Sequence, residues 1–187
     1  MDHTLTRTLV RNILEHADDY PWTMQEIGLL GLRLDDRREH RLHVWGPSYS
    51  VGEPPVHDHP YDFTSTVVVG ELTNTRYVED PGGVEYQRVR YPLADEDART
   101  TDTVRLSATP AVVRAGDEYS QLAHELHDSR QLPGAVTIIR MSFRDVSTLT
   151  VCTPVDAPWV SGWSRPATPD EVTTIIGAAL EHFELNP

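Results

Sequence analysis

Apolar positions recur at helical spacing near both ends of the chain, while between them they alternate or gather in short runs. Leu5, Leu9, Ile13 and Leu14 fit one face of a 3.6-residue period, which predicts an amphipathic helix over about residues 2–18. Thr168-Pro169-Asp170-Glu171 reads as a second helix start, with a capping hydroxyl, a proline in the first turn and acids at the positive end of the dipole. Val172, Ile175, Ile176, Ala179, Leu180 and Phe183 supply the apolar face of that helix, over about 168–184. Both helices are expected on the outside of a β-domain. The middle offers strand candidates at 40–45, 55–59, 63–70, 71–79, 84–91, 102–107, 110–115, around Tyr119, 135–143 and 148–152. Asp80-Pro81-Gly82-Gly83 and Pro133-Gly134 are read as turns, and the acidic stretch 93–102 as a solvated loop. Many short strands at this spacing favour an all-β barrel or sandwich over an α/β fold.

Composition narrows the partners. The 187 residues suffice for one sizeable core, and nothing marks a break into two domains, so residues 1–187 are expected to form a single domain. A net charge of −13 argues against nucleic acid, whose binders need a basic footprint. No apolar run is long enough to span a bilayer, and residues 1–19 mix acids and bases, unlike a signal or transit peptide. The one cysteine, Cys152, lies in an apolar strand and rules out an intrachain disulfide framework. These features point to a cytoplasmic protein.

The candidate chemistry is histidine. His57-Asp58-His59 follows a turn-rich segment, and side chains two apart on a strand leave the same face, so both imidazoles can enter one cavity. Neutral imidazole is the commonest transition-metal ligand. Further along, YSQLAHELHD offers His124 and His127 as a third. Asp58 falls on the other face and is expected to bond backbone. His3, His16, His40, His43 and His182 lack partners in spacing and are assigned to surface or core. Arg140 is the candidate anion clamp, because a guanidinium matches carboxylate geometry.

Four ordered segments resemble the cupin superfamily, and within it the cysteine dioxygenase group of thiol dioxygenases. They are Trp45-Gly46-Pro47, Val56-His57-Asp58-His59, the run from Gly70 to Tyr77 that parallels a G-N-L-x-E-T-x-F/Y segment, and Tyr119 followed eight residues later by His127. Together they span about residues 42–144. The resemblance implies an all-β double-stranded β-helix, or jelly-roll, with the barrel over about 40–153 and flanking helices. It implies Fe(II) held by His57, His59 and His127, with His124 as the alternative third ligand. It also implies dioxygen and a small anionic substrate, a thiol- or carboxylate-bearing amino-acid-like molecule, as reactants, and a monomer or homodimer. Tyr119 would be the catalytic hydrogen-bonding residue, with Arg140 on the substrate anion, while Arg33 is a weaker match to the family's carboxylate-binding arginine.

The chain departs from the family at defined places. Residues 63 and 64 are Phe and Thr, so the usual cupin glutamate is absent and three neutral histidines remain. Thr64 stands where those enzymes carry a crosslinking cysteine, and residues 137–142 lack the family's Ser-His-Tyr relay. Two other readings share the scaffold. One is an isomerase, hydrolase or decarboxylase using nickel, zinc or manganese as Lewis acid; the other is a non-catalytic small-molecule-binding cupin.

Overall fold

A computed structural model of the chain describes residues 3–25, 27–46, 55–93, 99–155 and 164–185. The chain opens with α1 (His3–Glu15) and a short 3-10 turn (Ala17–Asp19), and closes with α2 (Pro169–Leu185). Between them run β1 (Thr23–Gln25), β2 (Leu29–Arg33), β3 (His40–Trp45), β4 (Val56–His57), β5 (Tyr61–Val69) and β6 (Glu71–Pro92). They are followed by β7 (Thr100–Arg114), β8 (Glu118–Gln121), β9 (Leu126–Gln131), β10 (Val136–Phe143), β11 (Thr148–Pro154) and β12 (Ser164–Pro166). The strands form two antiparallel sheets, ordered β12-β1-β2-β3-β10-β5-β8 and β11-β4-β9-β6-β7. In the second sheet β11 also pairs with the far half of β6, so β11, β4, β9 and β6 close into a ring. Among the described residues no helix is long and apolar enough to cross a membrane.

Alternation along β3 decides what lies on each side of the first sheet. Leu42 and Val44 turn outward into a core shared with α1 and α2, whereas Arg41, His43 and Trp45 turn the other way, toward the second sheet. Strand β10 follows the same rule: Val136 and Ile138 meet the helices, and Thr137, Ile139 and Met141 face inward. The helices thus cover one half of the outer sheet face with Val10, Ile13 and Leu14 from α1 and Val172, Ile175, Ile176, Ala179 and Phe183 from α2. The apolar face expected for α2 is the one that is buried.

Its cap is reciprocal. Thr168 Oγ1 accepts from the Glu171 backbone N–H at 3.3 Å, and Glu171 Oε2 accepts from the Thr168 N–H at 2.8 Å. Arg165 in turn forks onto the Glu171 carboxylate, and these partners hold the carboxyl down at about 2. Thr168→Ala should remove about 1 kcal/mol of stability, a fall in melting temperature of roughly 2–4 °C by calorimetry. An unchanged melting temperature would mean that packing alone fixes this helix start.

Four sequence expectations need correction. The first helix is shorter than 2–18, and its buried stripe is Thr6, Val10, Ile13 and Leu14, leaving Leu5 66% and Leu9 58% exposed. Packing against α2 and β5 sets the helix's rotation, and it favours the stripe one residue on. Asp80–Gly83 does not reverse the chain: it is a bulge inside β6, where Glu79 and Val84 both pair with Leu106. Gly83 presses so closely there that a Cβ would lie 2.4 Å from the Leu106 backbone. The expected loop at 93–102 gives way to strand from Thr100; residues 94–98 lie outside those described, as do Pro47 and the rest of the segment before Pro55. Finally β1, β2, β9 and β12 were not expected. The Pro133-Gly134 turn stands as read, its glycine at φ +82° tucked against Ala178 of α2.

Candidate metal centre

His57 ends β4, His59 lies two residues beyond it, and β9 places His127 directly opposite His57 in the antiparallel register. The rings converge. Centroids are 4.7 Å apart for His57 and His59, 4.9 Å for His57 and His127, and 5.1 Å for His59 and His127. One ring nitrogen of each lies within 4.8 Å of the others, so the three histidines are close enough to bind a metal ion.

Backbone and side-chain acceptors behind the rings fix which nitrogen looks inward. His57 Nδ1–H donates to Pro55 O at 3.0 Å, and His127 Nδ1–H donates to Asn74 Oδ1 at 2.9 Å, leaving both Nε2 atoms with a lone pair. His59 Nε2 lies 3.0 Å from His127 Nε2. Two nitrogens each about 2.1 Å from one ion, at a right angle to each other, would stand roughly 3.0 Å apart, so this pair already has the spacing of adjacent ligands.

Burial keeps the site uncharged. Desolvation lowers His57 from the ordinary histidine value despite Pro55, Asp58 and Asp128 pulling upward. It drives His59 well down, helped by His57, His127, His43 and Arg41, and does the same to His127 with His57 and Arg76. Three imidazoles neutral at pH 7 are three available ligands. Aromatic rings shield them: Tyr61 stacks on His59 at 4.9 Å, and Phe63 lies 5.3 Å from His59 and 5.5 Å from His127.

His124 stands apart from this cluster. It occupies a turn before β9 at φ +66°, its side chain is 58% exposed, and its Nδ1 is 3.7 Å from Asp58 Oδ2. His124 therefore lies in a turn and His127 in a strand. Asp58 itself is buried and accepts from the Thr150 N–H at 2.7 Å, tying the His57–His59 segment to β11. Burial pushes its carboxyl above the ordinary value. Cys152 is also buried, and desolvation pushes its thiol up to about 12, so it is no nucleophile at neutral pH.

The other expected site residues divide. Tyr119 faces inward on β8, its hydroxyl toward Ser129 and Ser65, and its ring lies 5.8 Å from Phe63, one ring away from the histidines. Burial raises its phenol, so it remains a hydrogen-bond donor. Arg140 pairs across the sheet with Thr64, on the face opposite Met141, and is exposed. It lines a cleft of 620 Å³ with Arg37, Thr64 and Ser120, to which Phe63 and Met141 also contribute. Thr64 Oγ1, 3.1 Å from Ser120 Oγ, belongs to this outer face too. Arg33 lies at the exposed end of β2.

The inward arginine is Arg41. In register it shares a row with Ile139, Ser65 and Tyr119, and its buried Nε has no hydrogen-bond partner among the described residues. Two positions along β3, His43 is buried beside Trp45, and desolvation together with the Arg41 charge lowers its imidazole to about 3. The signal for both was present in the run HRLHVW, where two aliphatic residues claim one face and leave Arg41 and His43 on the other.

No family model matches the chain, and no curated protein matches it in sequence. Among solved structures, a Drosophila melanogaster one, "Crystal structure of drosophila melanogaster CENP-C bound to CAL1", overlaps 81% of this chain and 100% of its own. The sequence identity is 11% and the TM-score 0.34, too low for the overlap to carry a structural or functional argument.

Proposed function

We propose that this chain is a cupin-type mononuclear oxygenase that holds Fe(II) through His57, His59 and His127 and acts on a small anionic, amino-acid-like thiol or carboxylate. The observation that carries the reading is the convergence of three neutral imidazoles, His127 buried and His57 and His59 partly so, two of them with Nδ1–H anchored behind the ring. The antiparallel two-sheet architecture is compatible with a cupin jelly-roll. An all-histidine shell leaves the ion's double positive charge uncompensated, which favours an anionic ligand, and three protein ligands leave open positions.

When bound, iron would supply the redox chemistry with dioxygen; the residues supply the surroundings. Arg41 takes the anion-binding role expected of Arg140, because it lies on the inner face and its buried Nε has no hydrogen-bond partner among the described residues. Tyr61 and Phe63 exclude water from the imidazoles. Tyr119 would offer its hydroxyl proton as a hydrogen bond to the bound reactants once it turns from Ser129 and Ser65.

Dioxygen uptake by metal-depleted protein, reloaded in turn with Fe(II) and Zn(II), tests the reading. Uptake is expected only with Fe(II) and a thiol carboxylate together, and none with zinc, which has no redox chemistry. Anaerobic turnover by the zinc form would replace the oxygenase with a Lewis-acid enzyme. Ligand-dependent stabilisation without turnover under any metal would leave a binding protein.

A further inference from the structure

The inner face of the first sheet carries two unsatisfied polar atoms on residues that pair directly across neighbouring strands. His43 Nε2 and Thr137 Oγ1 are both buried, and neither has a hydrogen-bond partner among the described residues. Their residues are direct partners in the β3–β10 register, which brings their Cβ atoms to roughly 4.5–5.5 Å of each other. Buried polar atoms without partners cost about 1–3 kcal/mol each, so two adjacent ones call for a third party. Both lie on the face turned toward the histidines, and His43 is near enough to His59 to weigh on its charge.

We infer that His43 and Thr137 form a subsite for a hydrogen-bond donor group, an amine or hydroxyl, on the molecule that the three histidines and Arg41 hold. This rests on the proposed function and assigns the residues that would recognise such a donor on its amino-acid-like substrate. The chemistry of the two residues favours that assignment. His43 is neutral, so Nε2 can accept, and the threonine oxygen accepts as well. Arg41, two residues along the same face, can only donate. A ligand matched to this wall presents an acceptor to Arg41 and a donor to the pair, as a zwitterionic amino acid or a hydroxy acid does. The two outward neighbours, Leu42 and Ile138, belong to the helix-facing core, so neither polar side chain is there to serve the helices.

The test uses cobalt(II)-loaded full-length protein under argon, titrated with L-cysteine and with 3-mercaptopropionate. Both thiols ligate through sulfur and carry a carboxylate; only cysteine has the amine. The thiolate-to-cobalt absorption band reads binding independently of turnover. Wild type should prefer cysteine. Thr137→Val and His43→Phe should each weaken cysteine about tenfold, the size of one lost hydrogen bond, and change 3-mercaptopropionate less than twofold. Thr137→Ser should return cysteine to within about threefold of wild type. Because Thr137 Oγ1 has no partner among the described residues to lose, the metal-free Thr137→Val protein should melt at or above the wild-type temperature.

Equal weakening of both thiols, or no weakening of either, would overturn the inference; the second result would leave the pair to a buried water. A lower melting temperature for Thr137→Val, a wild-type preference for 3-mercaptopropionate, or no cysteine-dependent band at all would overturn it too. The oxygenase reading fails separately: an iron form that keeps the cysteine contrast but consumes no dioxygen ends that reading and leaves the subsite standing.

Discussion

His127→Ala is expected to yield a folded protein that retains almost no metal. Two surviving imidazoles would hold a divalent ion weakly, and His127 is the member of the triad that joins the two strand segments, β9 opposite β4. The substitution leaves Asn74 Oδ1 with only the long 3.4 Å contact from Ser129, a cost of about 1–3 kcal/mol that a core of this size should absorb. Asn74→Ala, which frees the His127 ring while keeping the ligand, should weaken metal binding about 10- to 100-fold. His124→Ala should keep full stoichiometry, since that side chain is in a turn, mostly exposed. The check is metal content by elemental analysis after dialysis, with circular dichroism to confirm folding. Metal lost from His124→Ala and kept by His127→Ala would overturn the ligand set.

The His57–His59 pair was legible in the sequence because its signal is local, two histidines at strand spacing, while the third position rested on the resemblance and stood open between His127 and His124. What surrounds it was not, because it depends on which parity of each strand faces in. Arg140 and Arg41 are both strand arginines, and only the register separates them. Arg140 stands beside Thr64 on the outer face, and Arg41 stands opposite Ile139 on the inner one. Strand β9 escaped notice for a related reason. Its residues LHDSRQ hold a single aliphatic side chain, and their polarity is that of the site and its supports: His127 on Asn74, Ser129 beside them, and Asp128 accepting from the buried Tyr77 hydroxyl at 2.8 Å. Strand β2 was hidden in the opposite way, as LLGLR is apolar on both faces and shows no alternation.

The helices divide on similar grounds. For α2, hydrophobic period and cap agree, and the structure follows both. For α1, Leu5 and Leu9 satisfy the period as well as Thr6 and Val10 do, and contact with α2 and β5 settles the matter for the second set. Local pattern fixes that an element is helical; the choice of buried face belongs to the partners it packs against.

Metal-free protein should lose stability steeply as pH falls from neutrality, well above the range where carboxylates titrate. His43, His57, His59 and His127 all have imidazoles lowered mainly by burial, so the unfolded chain binds protons at these positions that the folded chain refuses. The sign follows directly. Where the unfolded state holds more protons, stability rises with pH; it is fully present above about 6.5 and drains as pH falls from there toward the folded values. His43 alone, lowered to about 3, costs about 1.4 kcal/mol for each pH unit below 6.5. The three triad histidines add in the same direction. A domain stable by roughly 5–15 kcal/mol would then unfold in mild acid. The lowered carboxyls of Asp35, Asp62, Asp80 and Asp102 bear on stability only below the usual Asp value of 3.8, so they do not compete in this window. Asp58, raised by burial, opposes the loss only as pH nears its own range. Urea unfolding of the metal-free protein between pH 8 and pH 5 should give a steep decline beginning near 6.5. His43→Phe should make that decline shallower by up to one proton, about 1.4 kcal/mol per pH unit. Metal loading should move its onset to lower pH, because a bound ion occupies the lone pairs that protons would take. A stability curve flat from pH 8 to pH 5 would mean that these imidazoles reach solvent, and with that the dry, neutral triad would be lost as an account of the site.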